Sequence, residues 1–424
     1  MTPAAYQFHT LGCKLNFSES SYLASQLREL GMHPAQAGES PQLCIVNTCT
    51  VTDAADTKGR QLIHRLHREH PDAKIIVMGC YAQLKPAEIA GFEGVSLVLG
   101  SNDKFDLPAL LEEIGLDVQV RVSDTKTMTP FKASCSKEDR TRHFLKIQDG
   151  CDCFCTYCAI PFARGRSRSG SIASLVNEAQ WVAAQGGKEI ILTGVNIGDF
   201  GRHQGETLLE LVEALAKVPG IERYRISSIE PDLLSDELID FVAENPKFAP
   251  HFHIPLQAGS DEVLRLMHRR YDTSLFADKI ARIRQRLPQA FVGVDVMAGM
   301  RGETEALFDQ SYHFIEALPV CQLHVFPYSE RAGTAALRIE HCVTPKEKRL
   351  RTDLLLALSD KKKQDFYQSQ VGQSHQVLWE SARKKGTMAG FTENYVRVRC
   401  AYDAARTNTL ETIVLTEDLL SYEI

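Results

Sequence analysis

Apolar and polar positions alternate along the chain in three successive textures. In the first ~100 residues, short apolar β-branched runs at 6–12, 43–48 and 74–79 are separated by amphipathic stretches near 18–30 and 57–70. Strands alternating with helices at ~30-residue intervals predict a parallel, Rossmann-like α/β sheet. A polar, mixed-charge stretch at 120–142 reads as a linker. Six further apolar runs follow, at 143–148, 189–195, 223–229, 251–256, 291–297 and 322–328. Helical periodicity falls between them, at 174–185, 207–217, 261–268, 275–286 and 303–318. Six βα units predict a full or partial (β/α) barrel, whose chemistry sits at the C-terminal ends of its strands. A charged amphipathic helix spans 345–370. After it come short β-like pieces at 374–379, 387–391, 395–399 and 411–415, the texture of a small β-barrel. The expected organisation is therefore mixed α/β, with domains at 1–120, 135–368 and 369–424.

Composition narrows the function more by what it excludes. Of the 424 residues, 44% are hydrophobic and 24% charged, which excludes a disordered, collagen-like or coiled-coil chain. No apolar run approaches the ~20 residues of a membrane span, and the first residues lack the plan of a signal peptide, so a cytosolic protein is expected. The net charge of −6 carries no general polyanion signature, and any basic surface must be local.

The cysteines change the picture. There are twelve, four of them within eight residues, and a reducing cytosol disfavours structural disulfides. Cys13, Cys49 and Cys80 each follow one of the first three predicted strands, 36 and 31 residues apart. In a parallel sheet those ends share one edge, so three distant thiols converge there. The alternative is that they are small buried hydrophobes, as Cys44 inside its apolar run is expected to be. Cys151-Asp-Cys153-Phe-Cys155-Thr-Tyr-Cys158 contains a C-x3-C-x2-C frame just past the first barrel strand. Three thiolates on one loop suit an iron–sulfur cube with one iron left open. A ferredoxin would supply four, and a structural zinc site would want two ligand pairs on separate loops. Cys153 either ligates or faces away.

The loop Gly150-Cys151-x3-Cys155-Thr-Tyr-Cys158-Ala-Ile-Pro161, continued by Ala163-Arg-Gly-Arg-Ser-Arg168-Ser169, resembles that of the radical S-adenosylmethionine (SAM) methylthiotransferases. The resemblance runs through nearly the whole chain, in order. It includes Leu11-Gly-Cys13-Lys-Leu-Asn16, Val46-Asn-Thr-Cys49, Gly79-Cys80, Leu192-Thr-Gly-Val-Asn196, Ile226-Ser-Ser-Ile-Glu230-Pro231 and His253-Ile-Pro-Leu-Gln257-Ala-Gly-Ser260. The tail resembles the RNA-binding TRAM barrel. The family implies two [4Fe-4S] clusters. One, on Cys151, Cys155 and Cys158, cleaves SAM to a 5′-deoxyadenosyl radical. The other, on Cys13, Cys49 and Cys80, carries the sulfur to be inserted, and a second SAM gives the methyl group. Asn196, Glu230, Gln257 and Ser260 are implied as SAM contacts. Where the family has Gly-Phe-Pro-Gly-Glu, this chain has Gly299-Met-Arg301-Gly-Glu303, and Arg301 is expected to replace the missing contact.

The implied partners are a tRNA anticodon stem-loop, an electron donor and a sulfur donor, with a monomeric cytoplasmic enzyme and no membrane. The Ala163–Ser169 run and Arg225–Pro231 resemble most the branch acting on N6-threonylcarbamoyladenosine. Branches acting on isopentenyladenosine or on a ribosomal protein are the alternatives, with a SAM-indifferent electron carrier and a zinc-stabilised RNA binder beyond the family. Between Lys132 and Gly170, eight basic residues face four acids, and Arg164, Arg166 and Arg168 either form a stripe for phosphate or a substrate carboxylate or shape the cluster loop by pairing with Asp and Glu. Lys58, Arg60, Arg65 and Arg68 offer a second basic face. From Gln370 on, six basic residues meet seven acids, leaving two readings for Tyr395: an RNA-gripping strand with Arg397 and Arg399, or a place in the core.

Overall fold

The computed structural model describes residues 4–113, 117–128, 131–136, 141–380 and 386–422. Strands β1 (Ala5–Thr10), β2 (His33–Pro34), β3 (Leu43–Thr48), β4 (Lys74–Gly79), β5 (Val95–Leu99) and β6 (Gln119–Arg121) form one parallel sheet in the order β2-β1-β3-β4-β5-β6. β3 is buried at every position, as an apolar strand with neighbours on both sides must be. Helices Lys14–Glu29 and Asp53–Glu69 follow β1 and β3, and the Thr52 hydroxyl caps the second by accepting from Ala55 N–H. The sequence patterns at 6–12, 43–48 and 74–79 mark β1, β3 and β4; β5 and the short edges β2 and β6 went unpredicted.

The stretch expected as linker holds β7 (Ser134–Cys135), antiparallel to β8 (Arg142–Lys146), and Lys137, Glu138, Asp139 and Arg140 lie outside the described residues. Next come β9 (Gln148–Asp149), β10 (Arg168–Ser169), β11 (Glu189–Thr193), β12 (Arg223–Ile226), β13 (His251–Gln257), β14 (Phe291–Ala298) and β15 (Gln322–Pro327). All six expected barrel strands are present. They divide into sheets β12-β11-β8-β7 and β13-β14-β15, with the isolated bridges Tyr224–Phe248 and Ser228–His253 at the seam. The barrel is thus partial, and its sheets and helices enclose one continuous apolar core.

The long helix Pro345–Ser369 opens with a capping box between Thr344 and Glu347 and leads into β16 (Ser374–Trp379), β17 (Thr387–Thr392), β18 (Arg397–Ala401) and β19 (Leu410–Val414). These form a four-stranded antiparallel sheet, β18-β17-β16-β19, on a small core around Trp379 and Val398. Of its basic residues, Arg383, Lys384 and Lys385 lie outside the described residues. Among the described residues no helix is long and apolar enough to cross a membrane.

This last sheet docks on the N-terminal ends of the barrel strands. Arg223 donates to the carbonyls of Phe391 (3.2 Å) and Gln376 (2.6 Å), and Arg225 to that of Glu393 (3.0 Å). Tyr395 takes the second of its two expected roles and packs between His251, Phe291 and Phe391 at ring distances of 4.6–5.5 Å, with the Arg225 guanidinium over it. Its ring is more useful as an apolar lid over buried arginines than in water. Beneath it Glu189 binds Arg225 (3.1 Å) and Arg223 (3.2 Å) with no exposure. Burial alone would raise the Glu189 carboxyl, but the facing arginines hold it below its ordinary value. Glu189→Ala strands two buried cations, so a loss of about 3–5 kcal/mol is expected. Chemical denaturation measures it, and a loss below ~1 kcal/mol would mean water replaces the carboxylate.

Candidate active site

β1, β3 and β4 are parallel neighbours, so their C-terminal ends lie side by side. Cys13 caps the helix after β1, Cys49 follows β3 directly, and Cys80 opens the helix Cys80–Leu84 after β4. The expected convergence is therefore realised in the backbone. Gly12, at φ 102°, permits it: a Cβ there would stand 2.6 Å from Cys49 Cβ. Asn16 ties the strand ends, donating to Leu11 O (2.8 Å) and Thr48 O (3.0 Å). Cys49 and Cys80 are buried and Cys13 is exposed. Burial, then the nearby Cys80 and Cys13, push the Cys49 thiol up to about 12. Cys44 is a buried apolar residue of β3, as expected.

The second trio follows β9. Gly150, at φ 72°, turns the chain where a Cβ would lie 2.0 Å from Arg166 O. Cys153 N–H points at Cys151 Sγ (3.4 Å) and Ile160 N–H at Cys158 Sγ (3.4 Å). Arg269 donates to Cys155 Sγ (3.2 Å) and pairs with Glu230. Burial, then the neighbouring Cys155, push the Cys158 thiol up to about 12. Thiols crowded this way resist ionising unless cationic metal shares the charge. Among the described residues no three His, Cys, Asp or Glu side chains are set to hold a single metal ion. A cube takes one thiolate per iron corner, so it needs its ligands spread rather than converged. Three thiols per site, sulfur-directed N–H groups and a guanidinium fit that demand.

A cavity of about 230 Å³ separates the two regions. Cys158, Gln257, Asp295 and Phe326 line it from the barrel, and Val51 and Thr52 from the first sheet. Gln257 reaches it from a strand irregularity, at φ 67°. Asn196 is buried beside the loop, donating to Cys153 Sγ at 3.8 Å, and its Oδ1 has no partner. Such an orphaned acceptor awaits a donor, as a bound amine would supply. Burial lifts the Glu230 carboxyl to about 7 although Arg269 opposes it. Ser260 and Arg301 are not among the residues lining this cavity. Ser260 is buried and donates to Gln310 (3.1 Å); Arg301 binds Glu330 (2.7 Å) and the carbonyls of Leu337 and Ile339. A second cavity, of about 430 Å³, shares Ala159 and is lined by Lys85, Phe162 and Arg331. Arg331 also clasps Asp56, in the first turn of the helix Asp53–Glu69, at 2.8 Å.

Sequence reading missed Arg269, which lies in a Met-His-Arg-Arg-Tyr run with no spacing cue. Of the two readings open for the arginine run, the structure shows the pairing with acids. Arg164 is buried against Glu19, Asp149 and Cys80, and Arg168 pairs with Asp149 (3.0 Å); only Arg166 is exposed, beside Asp152 and Phe154. On the helix Asp53–Glu69, Lys58, Arg65 and Arg68 are exposed while Arg60 is held by Tyr81 and Glu88.

Below the first cavity the same strand faces stay polar. His253 bonds Asp295 (2.8 Å) and stacks on His324 at 4.7 Å. Burial, then His253, push His324 down to about 4, and burial with Arg225 holds His251 well below 6.5. The unfolded chain therefore protonates first. Stability present above pH 6.5 is expected to fall as pH drops towards 4, by about 1.4 kcal/mol per unit for each such histidine. Urea unfolding at pH 7 and 5 measures the slope, which His324→Phe should flatten; an unchanged slope would contradict the assignment.

The partial barrel and its thiol loop define a radical SAM enzyme. Residues 145–315 match the Radical SAM superfamily, and residues 5–100 match the Uncharacterized protein family UPF0004. The radical SAM methyltransferase TsrM from Kitasatospora setae has a similar fold, with a TM-score of 0.55 at 16% identity over 77% of this chain and 75% of that one. The chain is 38% identical to the threonylcarbamoyladenosine tRNA methylthiotransferase MtaB of Bacillus subtilis over 93% of this chain and 90% of the relative. It is 33% identical to the tRNA-2-methylthio-N(6)-dimethylallyladenosine synthase of Dictyoglomus thermophilum, covering 92% and 90%. The chain belongs to the radical SAM methylthiotransferase family, and is a transferase that uses SAM and an iron–sulfur cluster.

Proposed function

We propose that this enzyme adds sulfur and a methyl group at C2 of N6-threonylcarbamoyladenosine beside the anticodon of tRNA. The observation that carries the reading is one cavity walled by Cys158 on one side and by Val51 and Thr52, just past Cys49, on the other. Cys151, Cys155 and Cys158 would hold one cluster, and Cys13, Cys49 and Cys80 a second. When bound, the clusters and SAM supply a carbon radical, sulfur and methyl, the hard steps that no side chain performs. The chain's own work is placement. Asn196 and Gln257 orient SAM, Glu230 and Arg269 brace the Cys155 side, and the clasp of Arg331 on Asp56 keeps both walls together. Phe162, 48% exposed in the second cavity beside Lys85 and Arg331, offers a stacking face and cations to a flipped nucleoside with a carboxylate.

The remaining assignments belong to the same reading: domains at 1–120, 135–368 and 369–424, a monomer in the cytoplasm, and separate electron and sulfur donors. Relatives that act on threonylcarbamoyladenosine reach 38% identity, against 33% for the dimethylallyl type, which favours the former substrate. Nucleoside mass spectrometry of tRNA from a strain lacking the gene tests this. Loss of the methylthio mark from threonylcarbamoyladenosine alone is expected. Loss from dimethylallyladenosine, or from neither nucleoside, would overturn the assignment.

A further inference from the structure

A buried charge network adjoins the first thiol trio through Arg164 and the second trio's loop through Asp149 and Arg164. Glu19 binds Lys104, Lys146 (2.8 Å) and Arg164 (3.1 Å); Asp149 binds Lys146 (2.7 Å), Arg164 (3.0 Å) and Arg168 (3.0 Å). Four cations thus face two carboxylates, and none of the six side chains is more than 11% exposed. Uncompensated charge is very costly away from water. An excess of two positive charges therefore calls for an anionic neighbour that is itself buried.

The place of that neighbour is marked. Arg164 Nε donates to Cys80 Sγ at 3.2 Å, while the terminal nitrogens of the same guanidinium bind Glu19, Asp149 and Asn16 Oδ1. The network also grips both roots of the second trio's loop, since Asp149 stands two residues before Cys151 and Arg164 six residues after Cys158. Glu19 and Asn16 come from the helix that Cys13 caps.

We propose that this cation excess is the counter-charge of the anionic cluster held by Cys13, Cys49 and Cys80, and that Arg164 is the positioning residue that delivers it. This rests on the two-cluster reading. A reduced cluster carries one more negative charge than an oxidised one, so nearby cations and N–H···S bonds raise its reduction potential. Arg164 then holds the front cluster reducible and fixes its distance from the second loop with the same side chain.

The test uses the full chain with Cys151, Cys155 and Cys158 replaced by Ala, loaded anaerobically with iron and sulfide, and an EPR-monitored redox titration. Arg164→Met should make reduction at least tenfold less favourable, about 59 mV for one electron. Glu19→Gln removes a negative charge and should shift the midpoint upward. Arg164→Lys should fall between wild type and Arg164→Met. If Arg164→Met does not fold, Lys104→Met, which touches no thiol, should still shift the midpoint down. A merely structural role cannot give shifts of opposite sign. Bound iron with an unmoved midpoint, or shifts of one sign in both charge variants, would overturn the proposal. No iron in the Cys151/Cys155/Cys158→Ala protein with every other residue unchanged would instead overturn the two-cluster reading beneath it.

Discussion

Cys155→Ala is expected to abolish SAM cleavage, lowering 5′-deoxyadenosine formation about a thousandfold or more, equivalent to at least ~4 kcal/mol in the barrier. Cys155 is the middle thiol of its loop and the one that Arg269 touches, so its loss removes a corner ligand and leaves that guanidinium facing nothing but Glu230 and nearby phenols. The fold should survive, because Cys155 is not among the buried core residues. Cys153 is the one thiol placed to compensate. It faces Cys151 and Asn196 instead, across a turn where Phe154 adopts φ 48°. Anaerobic assay of 5′-deoxyadenosine with a chemical reductant measures the loss. Retention of more than a tenth of wild-type turnover would show that Cys153 can serve as a ligand.

Cys49→Ala separates the two halves of the chemistry. Cleavage of SAM should stay within about twofold of wild type, while methylthio product falls below detection. Cys49 ends the middle of the three neighbouring strands, so its removal leaves exposed Cys13 and buried Cys80 without the thiol between them. Cys151, Cys155 and Cys158 lie on a separate loop from Cys49, so the first step is expected to be spared. Product analysis on tRNA and 5′-deoxyadenosine assay in the same samples decide it. Methylthio product from Cys49→Ala protein would contradict sulfur delivery from the front trio.

Period and spacing made the scaffold and the thiols legible. β3 and β4 are runs of buried β-branched residues, and the glycines before Cys13 and Cys80 flag where strand passes to helix. β6 carried no signal because its three residues lie at a sheet edge and are largely exposed. The arginines after Cys158 left two readings open for a different reason. Asp149 and Asp152, the partners of Arg168 and Arg166, stand within 19 positions, but Glu19, which holds Arg164, lies 145 positions away on another element. Long-range charge pairing has no period to read. The choice between the two roles of Tyr395 is likewise made only by the docked sheet, where a buried arginine lies against its ring. Arg269 and the orphaned Asn196 Oδ1 emerge only when the loop is folded against the barrel.

The most direct measurement is iron and acid-labile sulfide per chain after anaerobic reconstitution, in wild type and in a Cys13/Cys49/Cys80→Ala variant. Two clusters predict about eight of each in wild type and about four in the variant. About four of each in both proteins would contradict a second cluster on the front thiols.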